Sequence, residues 1–186
     1  MRNRDRGFTL IELLMVVAIV GILAVVAVPN IGQFIKNNRI KSKMYDLLNS
    51  INQARTEAVK RKDTVTVCRS NDIATPACAG AANTWTTGWI VFEDEGGDGG
   101  FDAGTDTLIA SSSAATGTVT IMATANYLMY NPDGTRRKDG TGNTITRFAI
   151  CDDRGIEIGR QINIPQVGRA NIYSYPIANC TTPSGP

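Results

Sequence analysis

Four cysteines, a glycine-rich acidic loop, a short basic run and one carboxylate set inside an apolar stretch are the places where this sequence could do chemistry. It contains no histidine. That removes Ser-His-Asp and Cys-His catalysis, imidazole metal ligation and the usual proton shuttle at neutral pH. The acidic loop Asp94-Glu95-Gly96-Gly97-Asp98 through Asp106 offers Asp94, Asp98, Asp102 and Asp106 as oxygen ligands for calcium. Against the calcium-loop pattern, Asp94, Asp98 and Gly99 fit, but Gly96 and Thr105 stand where further ligands are needed, so a solvated hairpin loop is expected and no metal site. The cysteines match no zinc spacing and read instead as disulfides of an exported domain. Three pairings are open, of which Cys68 with Cys78 and Cys151 with Cys180 are favoured, the first closing a short loop and the second tying down the tail. No cofactor is expected, and the chain reads as a non-enzyme.

The carboxylate is Glu12. Residues 13–28 are uninterrupted apolar, and 8–28 make twenty-one residues, about 31 Å of helix, close to the thickness of a bilayer's hydrocarbon core. A charge within such a helix costs a few kcal/mol in lipid and marks a function. Arg2, Arg4 and Arg6 favour a cytoplasmic N-terminus with the rest exported. Lys36, Arg39, Lys41 and Lys43 are basic on the other side, so charge alone does not fix the topology. A cleaved secretory signal is the competing reading, with Ala27 as its small residue. The helical pattern nevertheless continues past it, and a signal peptide gives no reason for Glu12.

The string Gly7-Phe8-Thr9-Leu10-Ile11-Glu12, after a short basic leader, resembles the class III signal of type IV pilins and type II secretion pseudopilins. The resemblance implies cleavage by prepilin peptidase after Gly7 and methylation of the new amino terminus on Phe8. It also implies that Glu12 pairs with a neighbouring subunit's terminal amine during assembly. Opposite charges in a low-dielectric filament core attract strongly, whereas either alone would be penalised.

Beyond residue 28 the helix should continue. Ile40, Met44, Leu47, Leu48, Ile51, Ala54 and Ala58 recur at spacings of three and four, with Val59 beside them, and predict an amphipathic helix over 29–63 packed on a globular domain. Pro29 and Gly32 predict a kink or local melting over 25–32. From 64 the pattern changes to period two, with strands expected at 64–69, 88–93, 107–110, 118–122, 127–130, 147–151, 156–164 and 170–175. Turns are expected at Asn131-Pro132-Asp133-Gly134 and Asp152-Asp153-Arg154-Gly155. The organisation is therefore a leader at 1–7, a transmembrane or filament-core helix at 8–28, an amphipathic helix at 29–63 and a β-domain at 64–186. The class is α+β, a long N-terminal helix packed on an antiparallel β-domain as in the type IV pilin fold.

Trp85, Gly88-Trp89-Ile90-Val91-Phe92, the acidic glycine loop, the Asn131 to Gly134 turn and Gly168-Arg169 are similar to the C-terminal domain of the GspH and FimT/FimU subgroup. This implies a minor pilin, with other minor and major pilins as partners, that primes assembly or sits at the pilus tip. It would wait in the inner membrane with its C-terminal domain in the periplasm and then pass to the cell surface. A type II secretion pseudopilin is one alternative, and a DNA-binding subunit in natural transformation is the other. Some FimT proteins bind DNA through Gly-Arg-x-Arg, and here Gly168-Arg169-Ala170-Asn171 lacks the second arginine, a lost phosphate contact. Arg136, Arg137 and Lys138 on an expected turn, with Arg160 and Arg169, are the candidate patch. From 63 onward, however, eight basic residues face thirteen acidic ones, a net −5 that disfavours a polyanion.

Overall fold

In a computed structural model of the protein the described residues are 8–79, 83–138, 144–174, 177 and 179–181, with the side chains of 26–30 and 174 left out. The leader and Gly7 lie outside them. The chain divides into two units, 1–38 and 39–186.

In the first unit the helix α1 (Leu10–Arg61) begins. Thr9 stands at its N-cap, and the helix runs without a break in its assignment past Gly21, Pro29 and Gly32. The local melting expected over 25–32 is therefore not found. A proline inside a helix forfeits one backbone bond, which the flanking turns can carry. Side chains from Phe8 to Val25 are exposed, Phe8 by 84% and Leu10 by 76%.

In the second unit α1 buries the predicted stripe of Ile40, Met44, Leu47, Ile51, Ala54 and Ala58, each at most 3% exposed. Each large side chain in that row contributes about 1.5–3 kcal/mol of burial. Leu48 is only half-buried, and Val59, expected beside the stripe, faces solvent one step round the helix from Ala58. Lys62 ends the helix in the left-handed region at φ 61°, its amide bonded to the Ala58 carbonyl at 3.0 Å.

The strands are β1 (Val65–Arg69), β2 (Gly88–Glu93), β3 (Thr107–Ser113), β4 (Thr120–Ala123), β5 (Tyr127–Tyr130), β6 (Arg136–Arg137), β7 (Arg147–Cys151), β8 (Arg160–Asn163) and β9 (Asn171–Ser174). They form two antiparallel sheets, ordered β3-β2-β1-β5-β6 and β4-β7-β8-β9. The core lies between them and the helix, with Trp85 edge-on to Phe148 at 5.0 Å. The strand expected at 156–164 is shorter, because 156–159 is a turn held by the Gly159 amide on the Ile156 carbonyl. The strand expected at 118–122 begins later, and β3 runs on to Ser113.

β1 and β2 are buried on both faces. Val65, Val67, Trp89 and Val91 point into the main core, while Cys68, Ile90 and Phe92 build a second cluster with Cys78, Phe101 and Tyr127. The acidic loop therefore serves as a cover for the outer face of the sheet, pinned by Phe101 edge-on to Phe92 at 5.2 Å. The two disulfides are Cys68–Cys78 and Cys151–Cys180.

Candidate functional site

The N-terminal turn is where the apolar helix and its one charge meet. Thr9 and Glu12 form a reciprocal cap: the Thr9 amide and hydroxyl donate to Glu12 Oε2 at 3.4 and 3.5 Å, and the Glu12 amide donates to Thr9 Oγ1 at 3.3 Å. The bonds are long, but the arrangement is the Thr-x-x-Glu capping box. Sequence reasoning missed it, although Thr9-Leu10-Ile11-Glu12 displays the spacing. Glu12 therefore sits at a helix N-terminus, where a carboxylate is favoured by the macrodipole, and remains solvent-exposed. Around it, Leu10, Ile11, Leu13, Leu14, Met15, Val16 and Val17 are each more than half exposed. Apolar surface of that extent in one chain is a contact surface for lipid or protein.

Among the described residues no helix is long and apolar enough to cross a membrane. The last residues of the expected 8–28 span, 26–28, lie outside those whose side chains are described.

The acidic loop does not bring its carboxylates together as ligands. Among the described residues no cluster of three potential metal ligands exists. Asp94 is buried and accepts the Thr66 hydroxyl at 2.7 Å and the amides of Gly99 and Asp98 at 3.0 and 3.2 Å. Burial pushes its carboxyl above the usual range, against the pull of the Thr66 and Gly99 bonds. Asp106 accepts the amides of Glu95 and Asp102, so the acids hold the loop's own backbone.

The candidate nucleic-acid patch is dispersed. Arg136 and Arg137 lie on strand β6, not on a turn. Arg136 is buried, donating to the Ile145 carbonyl at 3.2 Å and to Gln166 Oε1 at 3.4 Å, and burial lowers its pKa. Arg137 donates to Thr64 Oγ1 at 2.9 Å, and Arg160 to the carbonyls of Ile158 and Gly159. Lys138 and Arg169 are exposed. Arg136 was expected to be accessible. It is enclosed because its strand pairs with β5 while its own amide bonds the Gln166 carbonyl at 3.0 Å.

The late glycine and the Asn131 to Gly134 turn meet at the helix. Arg55 Nε donates to the Gly134 carbonyl at 2.9 Å, and Tyr130 Oη donates to the Gly168 carbonyl at 2.9 Å. Gly134 and Gly168 both have positive φ, at 76° and 79°.

An exposed apolar helix with a capped N-terminal glutamate, followed by a two-sheet α+β domain closed by disulfides, defines a pilin-like protein. Residues 2–28 match the prokaryotic N-terminal methylation motif, and residues 45–168, more than half of the chain, match the family of type II transport protein GspH. The chain belongs to the GspH family and carries the prepilin methylation motif. Over 31 residues it is 68% identical to the type IV major pilin protein PilA of Myxococcus xanthus (strain DK1622), covering 17% of this chain and 14% of that protein. Over 44 residues it is 46% identical to the type IV major fimbrial protein FimA of Dichelobacter nodosus, covering 24% of this chain and 28% of that one. The chain thus spans well under a third of the length of these curated relatives. The type IV minor pilin FimU of Pseudomonas aeruginosa (strain PAO1), in its P21 crystal form, shares the fold at a TM-score of 0.55 and 21% identity, covering 75% of this chain and 92% of that one. Its P65 form aligns with a TM-score of 0.52 at 20% identity, covering 72% and 91%.

Proposed function

We propose that this chain is a non-catalytic minor pilin that primes assembly or forms the tip of a type IV pilus. The observation that carries the reading is the pairing of a methylation motif with an exposed apolar helix whose charge is Glu12. In this mechanism prepilin peptidase cuts after Gly7 and methylates Phe8, and the chain waits in the inner membrane with its disulfide-closed domain in the periplasm. On insertion the apolar side chains from Phe8 onward exchange lipid for neighbouring pilin helices. Glu12 then meets a neighbour's terminal ammonium, an attraction that strengthens as water is excluded. The β-domain meets other minor and major pilins.

A type II secretion pseudopilin is the second reading, favoured by the name of the matching family. Deletion of the gene separates the two. Loss of surface pili supports the first, and loss of exoprotein secretion with pili intact supports the second. Loss of transformation with pili intact would point instead to DNA uptake.

A further inference from the structure

At one end of the second sheet, neighbouring strands set three polar residues in a row. The register pairs Arg147 on β7 with Asn163 on β8, and Asn163 with Asn171 on β9. These three, with Thr146, Tyr173 and Arg136, line a cleft of about 290 Å³. Arg136 reaches it from the edge of the other sheet, where its strand and Gln166 bond each other, Gln166 Nε2 donating to the Arg136 carbonyl at 2.6 Å.

Among the described residues nothing acidic compensates the charge there. Arg136 is only 7% exposed, and among the described residues its Nε has no hydrogen-bond partner and its other guanidinium nitrogens meet only neutral oxygens. Among the described residues neither Arg136 nor Arg147 belongs to an ion pair. A buried cation is normally paired, so Arg136 lends an unoffset positive charge to the cleft that it lines, and the half-buried Arg147 presents a second one there. Guanidinium forks match the planar, two-oxygen geometry of a carboxylate, and side-chain amides such as Asn163 and Asn171 can donate to the same oxygens. The net −5 of the sequence from 63 onward favours a small carboxylate over a polyanion.

We propose that the cleft formed by Arg136, Arg147, Asn163 and Asn171 is a carboxylate-binding site. It takes an aspartate or glutamate side chain of a protein segment, or a small free dicarboxylate. The site goes beyond the subunit reading and stands or falls independently of it.

The test uses the full chain in detergent micelles with ¹⁵N-labelled arginine, and follows the Nε–Hε signals. Succinate and a synthetic peptide with the sequence of residues 94–106 are titrated in separate arms, with inorganic phosphate and a short DNA duplex as competitors. The expected result is a saturable shift of the Arg136 Hε signal, with succinate or the peptide, whichever binds more tightly, identifying the source. Arg147→Gln should weaken binding at least about tenfold, as loss of one charge-assisted hydrogen bond implies. Asn171→Asp, an exposed change that leaves the core intact, should abolish it by repulsion. Silence of the Arg136 signal at millimolar carboxylate, unchanged affinity in both variants, or equal binding of phosphate or DNA would each overturn the proposal.

Discussion

Gly168 lies against the carbonyl oxygen of Gly134 with no room for a Cβ between them, and that oxygen also receives the Arg55 Nε bond at 2.9 Å. A side chain at 168 would strike backbone, which cannot swing aside, and would also sit in the left-handed region at φ 79°. Gly168→Ala is therefore expected to destabilise the chain by about 2–4 kcal/mol, the sum of a positive-φ penalty and a steric shift. Urea unfolding followed by tryptophan fluorescence measures it. A change under about 0.5 kcal/mol, the size of a neutral surface substitution, would show that the contact is soft.

The cap that Glu12 forms and the pairing proposed for it can be separated by mutation. Thr9→Ala removes the cap and is expected to fray the helix start, costing about 1 kcal/mol, while leaving incorporation into filaments largely intact. Glu12→Ala removes both the cap and the charge and is expected to reduce incorporation at least tenfold. Immunoblots of sheared filaments against whole cells give both numbers. Equal incorporation of Glu12→Ala and the parent chain would refute the pairing.

The disulfides close loops of sequence separation 10 and 29. On loop-closure entropy, replacing Cys68 and Cys78 by serine should cost about 2.5 kcal/mol, and replacing Cys151 and Cys180 about 3.5 kcal/mol. Thermal unfolding of the two double variants should rank them in that order.

Asp94 predicts a pH dependence with an unusual sign. Its carboxyl is raised by burial, so the folded chain binds that proton more tightly than the unfolded chain. Its contribution is favourable below the unfolded pKa and is lost as pH rises through the folded one. Asp72 and Asp133 behave oppositely: hydrogen bonds to the Ala74 amide and to Thr135, respectively, lower them, so their contributions are lost as pH falls. Asp94→Asn places a permanently neutral group in that environment. Relative to the parent chain it should do better at pH 7 than at pH 4, and a difference in melting temperature that moves the other way would show that the hydrogen bonds outweigh burial.

Much of this architecture is legible in the sequence. β2, β5 and β7 coincide with the expected bounds because Gly88-Trp89-Ile90-Val91-Phe92, Tyr127-Leu128-Met129-Tyr130 and Arg147-Phe148-Ala149-Ile150-Cys151 are short apolar runs flanked by turn residues. β6 escaped because two arginines carry no strand signal, and only its pairing with β5 makes it one. For the same reason Arg136 looked like a solvated turn, when tertiary packing encloses it. The apolar content of 156–164 hid a turn, since Ile156 and Ile158 resemble strand residues until Gly159 packs against Ile177 and Cys151. The functional motif at the N-terminus was legible because it is contiguous, whereas the cleft of Arg136 and Arg147 was not, because register across three strands assembles it.

The reciprocal bonds between Thr9 and Glu12 mean that the lone subunit does not hold a naked carboxylate in waiting. In the proposed assembly, joining a neighbour swaps one bonded state for another, with only the difference between them released. On that proposal the charge adds only this difference to the hold of the long apolar helix.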